Sequence, residues 1–279
     1  MRVTISVGGR FHAFNLAQEL LKHGYLEKLF TSYPKFEVKK YGIPADKIET
    51  NPTVEIIGRV WRRLPGFLRA LWNPQIFNCK LFDNWAAKRS TSSDICVAWS
   101  SFGLETIRVA KKLGAKTVIE RGSSHIIYQT DILKEEYQKY GLQPRLAHPK
   151  VIEKELKEYE EADYISIPSS FVRRTFLEKG ISGNKLIQVP YGVDLSTFRQ
   201  IPKEDKVFRV VFAGGMTLRK GVHYLLRAFG ELNLPNSELL LIGSFNDEMK
   251  PFFKKYEGGF KYMGHVPQAE LYKYYSQGS

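Results

Sequence analysis

Short apolar runs alternate with amphipathic segments along the first two hundred residues of this chain. The apolar runs are candidates for strands and cover residues 3–7, 29–30, 94–99, 116–120 and 164–168. Between them, apolar residues recur at helical spacing, as in FHAFNLAQELLKHG (residues 11–24), which a glycine ends. Continuous apolar strands separated by helices are typical of a parallel sheet covered on both faces. The pattern therefore predicts an α/β fold.

The alternation starts again after residue 200. RVVFAG, ELLLIG and FKYMG are strand candidates, and helical patterns follow each of them. Between the two halves, Pro202 and the charged KEDK run interrupt the periodicity, which indicates a linker. We predict two Rossmann-like parallel-sheet domains facing a cleft, at residues 1–200 and 201–279. With only three strand candidates, the second domain is expected to be incomplete.

Two pairs of glycines follow strands, where parallel sheets bind their ligands. Gly8-Gly9 follows the first strand, and Gly214-Gly215 follows the first strand of the second domain. Bare backbone lets a ligand approach, and a helix N-terminus attracts anions. Because Arg219 and Lys220 open the next helical pattern, FAGGMTLRKG is a candidate phosphate site. The alternative is a glycine turn before a solvent-exposed basic helix start.

Two nucleotide-binding signatures are excluded by the residues at their key positions. In a P-loop counted from Gly214, Arg219 would replace the required glycine and Gly221 the hydroxyl residue that binds Mg²⁺. VGGRFHAF, after the first strand, does not fit the G-x-G-x-x-G pattern of dinucleotide-dependent dehydrogenases.

Composition narrows the classes further. The chain has 279 residues, is 43% apolar, and contains no apolar run near the roughly 20 residues that a membrane span needs. Its net charge of +13 favours an anionic partner, although a diffuse basic surface with no specific partner is the alternative. The basic residues are spread, without an RNA- or DNA-binding signature, so we expect no nucleic-acid partner. Cys79 and Cys96 lack metal or disulfide spacing, which fits a reducing cytoplasm.

Residues 56–82 combine cations with aromatic residues and contain no Asp or Glu. The cations are Arg59, Arg62, Arg63, Arg69 and Lys80, and the aromatic residues are Trp61, Phe67, Trp72, Phe77 and Phe82. This composition suits an anionic membrane interface. An internal helix with a solvated basic face is the alternative, and Pro65-Gly66 would break one long helix.

Several segments resemble family-4 glycosyltransferases, which have the GT-B fold. PSSFVRRTFLEKG and VPYGVDLSTF are similar to the family's last N-terminal helix and interdomain segment. FAGGMTLRKGVHYLLRAF, LLLIG and MGHVPQAELYKYY are similar to successive parts of its donor-binding domain. The resemblance covers residues from about 164 to 279. It implies an enzyme of hexosyltransferase type. Such an enzyme transfers a sugar from a nucleotide-sugar to an acceptor hydroxyl, with retention of anomeric configuration.

The resemblance also implies a setting. The donor is a nucleotide-sugar of unknown base, no metal is expected, and the acceptor is a glycan or a lipid-linked molecule. The pathway is cell-surface glycan or exopolysaccharide synthesis. We expect a cytoplasmic location, and the composition of residues 56–82 suggests peripheral contact at the inner face of the membrane.

Individual positions carry over from the family's motifs. Lys220 matches the lysine that binds the diphosphate, and Arg219 would share its role. Gly214 and Gly215 would let the diphosphate approach the backbone, although many members have arginine at the position of Gly215. The backbone of Val266 resembles the position that reads the nucleotide base.

The first domain carries looser matches. Gly8 and Gly9 would border the leaving phosphate and the acceptor, and a tight turn is the alternative. His125 lies near the place of a catalytic histidine, and a surface or helix-capping histidine is the alternative. Glu120 and Arg121 fit that place or an ordinary ion pair. His12 follows the first diglycine and could reach the cleft, and a helix-start histidine without a role is the alternative.

The family continues beyond the segment that matches residues 263–275, into a strand, a P-S segment and two glutamates seven residues apart that hold the donor. These would lie after Ser279, the last residue here. We therefore expect a fragment or a degenerate gene, without useful transferase activity in this chain. The alternative functions are a non-catalytic remnant and an anion- or membrane-binding module.

Overall fold

The computed structural model describes the backbone of residues 1–279 and all side chains except those of residues 70 and 71. The chain forms two compact units. The first contains residues 1–132 and 145–190, and the second contains residues 133–144 and 191–279. The division thus falls at Pro190/Tyr191, ten residues before the predicted boundary, and residues 133–144 also belong to the second unit.

The first unit is built on seven parallel strands. The strands are β1 (Val3–Val7), β2 (Leu26–Thr31), β3 (Ile48–Thr50), β4 (Ile95–Trp99), β5 (Lys116–Glu120), β6 (Tyr164–Ile167) and β7 (Leu186–Gln188). They lie in the order β3-β2-β1-β4-β5-β6-β7. The order reverses between β1 and β4, because the chain builds outward to β3 and then returns to the other side of β1. Ligands of such sheets bind at this reversal, beyond the carboxyl ends of the strands.

Helices cover the first sheet. They are α1 (Ala13–Lys22), α2 (Lys35–Lys39), α3 (Thr53–Arg63), α4 (Gly66–Leu71), α5 (Gln75–Ala87), α6 (Leu104–Lys112), α7 (Ile126–Gln138), α8 (Pro149–Glu161) and α9 (Ser170–Glu178). All five residues of β1 are buried, because the sheet is covered on both faces. Single-turn 3-10 helices at Ala45–Lys47 and Gly183–Lys185 precede β3 and β7.

The second unit contains a three-stranded parallel sheet. Its strands β8 (Phe208–Ala213), β9 (Ser237–Ile242) and β10 (Lys261–Gly264) lie in the order β10-β9-β8. Its helices are α10 (Val222–Leu232), α11 (Lys250–Lys255) and α12 (Leu271–Ser276), with 3-10 turns at Leu218–Lys220, Asp247–Met249 and Gln268–Glu270. Tyr137 packs into its core with Met216, Leu218 and Val222, so the second half of α7 completes this core.

The predicted α/β class is confirmed, since every strand pair is parallel. The strands predicted at residues 3–7 and 116–120 have those bounds. As predicted, Ser169 caps α9, accepting a hydrogen bond from the N–H of Val172 at 3.2 Å. Strands β3 and β7 were missed because each has three residues at an edge of the sheet, too few to show a period.

Both cysteines are buried and unbridged, in keeping with their lack of disulfide spacing. Burial raises the pKa of Cys79 and of Cys96 to about 12, so both thiols are unreactive. Among the described residues, no helix is long and apolar enough to cross a membrane.

Candidate functional site

Three glycines lie together at the carboxyl edge of the second sheet, one after or at the end of each strand. The N–H of Gly214 donates to the carbonyl of Ile242 at 2.9 Å, and that of Gly243 to the carbonyl of Gly264 at 2.7 Å. A Cβ on Gly243 would lie 2.1 Å from the Gly214 oxygen. Glycine is therefore required at residue 243, which the sequence analysis did not single out. The repeated strand-then-glycine pattern of FAGG, LLIG and YMG was the available signal.

In the loop after β8, the backbone at Gly215 borders open space, and the next residue, Met216, is buried in the core. A Cβ at Gly215 would have no neighbour within 4 Å. Met216 is fully buried and pairs in parallel with Phe245, and Leu218 is buried too. Gly221, with φ of 70°, then starts α10 without a side-chain cap. This left-handed conformation favours glycine, and the helix N-terminus keeps free N–H donors.

Arg219 and Lys220 occupy the 3-10 turn between these anchors, and both are exposed. Among the side chains that the structure describes, neither makes a hydrogen bond or an ion pair. The predicted diphosphate residues therefore stand beside an uncapped helix N-terminus and beside bare backbone. Fixed cations and N–H groups in this arrangement suit an anion.

Glu248 holds the 3-10 turn that contains Arg219 and Lys220 through hydrogen bonds. Its Oε1 accepts the N–H of Leu218 at 3.0 Å and the hydroxyl of Tyr137 at 2.9 Å. Tyr137 reaches the loop from α7, which is distant in sequence, so no local pattern could predict this support.

His223, in the first turn of α10, is also held by α7. Its Nε2 lies 2.8 Å from Oε1 of Glu136, whose Oε2 accepts the hydroxyl of Tyr224 at 3.0 Å. Burial raises the pKa of Glu136, but hydrogen bonds from Tyr224, His223 and Lys139 outweigh it and hold that pKa below its usual value. The pair locks the start of α10 onto α7.

Val266, the predicted base-reading position, lies two residues beyond β10 at the same carboxyl edge. It is half-buried, between the strand and the 3-10 turn Gln268–Glu270. The second sheet thus brings Gly214, Gly215 and Val266 to one edge.

The first diglycine is packed rather than open. A Cβ on Gly8 would lie 2.1 Å from the ring of Phe102, and one on Gly9 would lie 2.8 Å from the ring of Phe11. Aromatic side chains of the chain itself therefore account for both glycines. Phe11 has φ of 42°, in the left-handed region that non-glycine residues rarely adopt, and its side chain is 62% exposed.

His12 and Glu120 form a pair at the reversal of the first sheet. His12 Nε2 lies 3.2 Å from Glu120 Oε1, and the side chains are 36% and 9% exposed. The imidazole packs on Trp99, at the end of β4, with ring centroids 5.0 Å apart. Since β4 separates β1 from β5, the pair bridges the end of β4. The sequence suggested that His12 could reach the cleft, but it did not reveal Glu120 as its partner, because the two residues are 108 positions apart along the chain.

A buried charge network fills the edge beside this pair. Glu158 accepts the N–H groups of Ser101, Gly103 and Leu104 at 2.7, 2.9 and 3.1 Å, and Lys154 Nζ at 2.8 Å. Asp83 accepts the N–H groups of Glu105 and Thr106, each at 2.9 Å. These carboxylates cap α6 from inside the protein. Burial raises the pKa of Glu158 to about 7, against the opposing effect of Lys154.

Arg121 belongs to the same network. Its Nη1 lies 3.0 Å from Oε2 of Glu155, and both side chains are at least nine-tenths buried. Its other contacts include the carbonyl of Ser124 at 3.1 Å. Arg121 thus forms an internal ion pair, which was one of the two interpretations of residues 120 and 121. Its partner in this pair is Glu155 and not Glu120.

His125 is buried between Tyr159 and Phe176, with ring centroids 5.2 and 5.0 Å away. Its Nδ1 accepts the N–H of Ile127 at 3.2 Å, so it caps α7. Burial lowers its pKa to about 4, with help from Arg121 and Lys179. A neutral, buried imidazole bonded to a helix end favours capping, the alternative to catalysis.

Within the described residues, no three or more His, Cys, Asp or Glu side chains are grouped so as to hold a metal ion.

Neither a protein-family model nor a curated protein matches this sequence. Solved structures do match its fold. HepE from Anabaena, solved in complex with UDP and glucose, superposes with a TM-score of 0.60 at 12% identity, over 100% of this chain and 72% of HepE.

Two further structures are similar. The lipopolysaccharide outer core galactosyltransferase WaaB gives a TM-score of 0.53 at 15% identity, over 99% of this chain and 71% of WaaB. A putative UDP-N-acetylglucosamine 2-epimerase from Listeria monocytogenes gives 0.51 at 10% identity, over 99% and 72%. At such identities the likeness concerns architecture alone. This chain has the α/β GT-B fold, with two Rossmann-like parallel-sheet units.

Proposed function

We propose that this chain binds a nucleotide-sugar at the carboxyl edge of its second sheet, which is the donor site of a glycosyltransferase that moves the sugar to an acceptor hydroxyl. One observation carries the proposal. Arg219 and Lys220 are exposed and without partners among the described residues, beside the uncapped start of α10. Breaking a bond between an anomeric carbon and a diphosphate leaves negative charge on the phosphates. Preorganised cations and N–H groups stabilise that charge.

The donor residues follow from this placement. Lys220 and Arg219 would bind the diphosphate, Gly214 and Gly215 would admit it to the backbone, and the main chain at Val266 would meet the base. UDP is the first nucleotide to test, because HepE was solved with UDP and with UDP-glucose.

The acceptor would bind at the reversal between β1 and β4, next to Gly8 and Gly9. This edge of the sheet offers the partly exposed His12, held by Glu120, and the exposed Phe11. Imidazole and carboxylate groups hydrogen-bond hydroxyls, and an aromatic face packs on the C–H groups of a sugar. A glycan or lipid-linked acceptor suits this chemistry.

The resemblance to family-4 glycosyltransferases adds finer points to the proposal. They are hexosyl transfer with retention, in cell-surface glycan or exopolysaccharide synthesis, on the cytoplasmic side of a membrane. If the product were inverted instead, His12 held by Glu120 would be the base that direct displacement requires.

Calorimetric titration with UDP, UDP-glucose, ADP and GDP tests the donor site. We expect saturable binding of at least one nucleoside diphosphate, weakening as salt increases. Absence of binding by all of them at millimolar concentration would contradict the proposal. NMR of the anomeric proton, with a sugar acceptor added, then tests the expectation that this chain has no useful transferase activity, and the configuration of any product would separate retention from inversion. An epimerised sugar still attached to the nucleotide would replace transfer by epimerisation.

A further inference from the structure

The surface formed by α3, α4 and the start of α5 is apolar and cationic at once. Its exposed apolar side chains are Ile56, Val60, Phe67, Leu68, Trp72 and Phe77, and its exposed cations include Arg59, Arg62 and Arg63. We refer to these nine residues as the arginine-aromatic surface. Phe67 is 71% exposed and Trp72 49%, which is unusual for large aromatic side chains in contact with water alone.

The parts of this surface are tied together. Helix α3 ends at Arg63 and α4 begins at Gly66, so Pro65 breaks the helix as the sequence predicted. The indole Nε1 of Trp61 donates to the carbonyl of Trp72 at 2.7 Å, across this break. The ring of Trp72 lies 6.2 Å from that of Phe77, which continues the contact into α5. The surface is thus one structure rather than a set of separate residues.

The arginines of this surface lack partners of opposite charge. Other helices pair their surface cations, as in Lys22–Glu19 on α1 and Lys157–Glu153 on α8, both at 2.7–2.8 Å. Among the described residues, no carboxylate lies within ion-pair distance of Arg59, Arg62 or Arg63. Glu55, the acidic residue of α3, accepts the Ser32 hydroxyl at 2.7 Å. The surface is therefore complementary to an anionic partner.

We propose that the arginine-aromatic surface docks on an anionic lipid bilayer, with the arginines at the headgroups and the aromatic and aliphatic side chains at the acyl boundary. Short helices with cations and large apolar residues on an exposed face are the elements that lie in this interface. A nucleic acid would use the arginines, but it would leave the aliphatic Ile56, Val60 and Leu68 without favourable contacts. The proposal does not depend on the proposed sugar transfer.

Co-sedimentation with vesicles tests the surface, using the whole chain without any nucleotide. We expect binding to phosphatidylcholine vesicles that contain phosphatidylglycerol, much weaker binding to pure phosphatidylcholine, and a decline with salt. Reversing three charges (Arg59→Glu, Arg62→Glu and Arg63→Glu) should reduce the partition coefficient on the order of 100-fold or more, at about fivefold for each lost cation. The exposed triple Lys112→Glu, Lys254→Glu and Lys255→Glu, with the same net charge, should retain most binding.

The apolar contribution has its own variants. Phe67→Ala with Trp72→Ala should weaken binding roughly tenfold or more, because two aromatic side chains no longer leave water. The matched change of exposed side chains elsewhere, Leu195→Ala with Leu232→Ala, should have little effect. Circular dichroism of each variant separates lost binding from lost folding.

Two results would overturn the proposal: equal binding by both charge-reversed triples, or binding unaffected by Phe67→Ala with Trp72→Ala. Duplex DNA added as a competitor distinguishes the partner. If DNA bound more tightly than the vesicles at equal phosphate concentration, the surface would be a nucleic-acid site instead.

Discussion

At the carboxyl edge of the first sheet, α6 begins under the buried carboxylates of Glu158 and Asp83, whereas in the second unit α10 begins at Gly221 with no side-chain cap. The first edge satisfies its N–H donors with anions of the protein itself. The second edge leaves donors and two cations open. Parallel topology creates an anion-attracting helix start in both units, and the local side chains decide whether it remains available for a ligand.

The two diglycines differ in the same sense. At Gly8, a Cβ would overlap the Phe102 ring, but at Gly215 it would meet nothing within 4 Å. A glycine pair after a strand is therefore not evidence of a ligand approach by itself. Only the pair in the second unit leaves open space above the backbone.

The largest effect is expected from breaking the internal charge network of the first edge. Replacing Lys154 by Met leaves Asp83 and Glu158 buried without their cation, which should cost about 3–5 kcal/mol in the free energy of unfolding. Urea denaturation measures it. Lys157→Met, which removes an exposed pair three residues on, should cost at most about 1 kcal/mol. Similar losses in the two variants would mean that the network does not support the first edge.

Acid should remove the contribution of His125 to the stability of the first unit. Its folded-state pKa of about 4 lies below the ordinary 6.5, so the unfolded chain takes up a proton that the folded protein resists. This contribution is complete above pH 6.5 and is lost as the pH falls toward 4, by roughly 3 kcal/mol. Urea denaturation across this range should show the unfolding free energy of the wild type falling relative to that of His125→Asn, which keeps an acceptor for the helix cap. The raised pKa of Glu158 acts in the opposite direction in both proteins and cancels in this difference. Parallel curves would argue against a buried neutral imidazole.

Substitutions at the carboxyl edge of the second sheet should lower the affinity for nucleotide. Lys220→Ala and Arg219→Ala each remove a charge-assisted contact worth about 1.5–3 kcal/mol, so each should weaken UDP binding roughly 10- to 100-fold. Calorimetry measures the change, with the exposed Lys254→Ala as the matched control. Because both side chains are exposed, unfolding free energies should change little. Unaltered affinity in both variants would exclude this loop as the diphosphate site.

The smallest effects separate the glycines of the second edge. Many family-4 glycosyltransferases have arginine at the position that Gly215 resembles. Gly215→Arg should change stability by less than about 0.5 kcal/mol and tighten UDP binding several-fold. Gly243→Ala, whose Cβ would lie 2.1 Å from the Gly214 oxygen, should instead destabilise by roughly 1–3 kcal/mol. Thermal unfolding and calorimetry compare the two. An equally destabilised Gly215→Arg would show that residue 215 lacks open space.

Much of the fold was predictable from the sequence because its evidence is local. Apolar runs marked β1, β5 and β9, a serine marked the start of α9, and glycines marked strand ends. The break at Pro65 was also local, since proline removes a backbone donor and fixes its own φ. Edge strands β3 and β7 escaped prediction, since three residues carry too little pattern.

The sites divide in the same way. Arg219 and Lys220 could be proposed from the sequence because glycine, cation and helix start are neighbours along the chain. Glu248 and Tyr137, which hold their loop, were missed because 111 positions separate the two partners. The pairing of His12 with Glu120, the burial of His125 and the filling of Gly8 by Phe102 likewise depend on strand order, which brings distant loops to one edge.

The sequence by itself thus determined where strands, helix starts and candidate cations lie, because period, capping and turn residues act over a few positions. Only the tertiary structure decided which of those features stayed open. Whether a helix N-terminus meets a buried carboxylate such as Glu158 or only solvent depends on which side chains the sheet order places above it. That contact is long-range, so no local pattern records it.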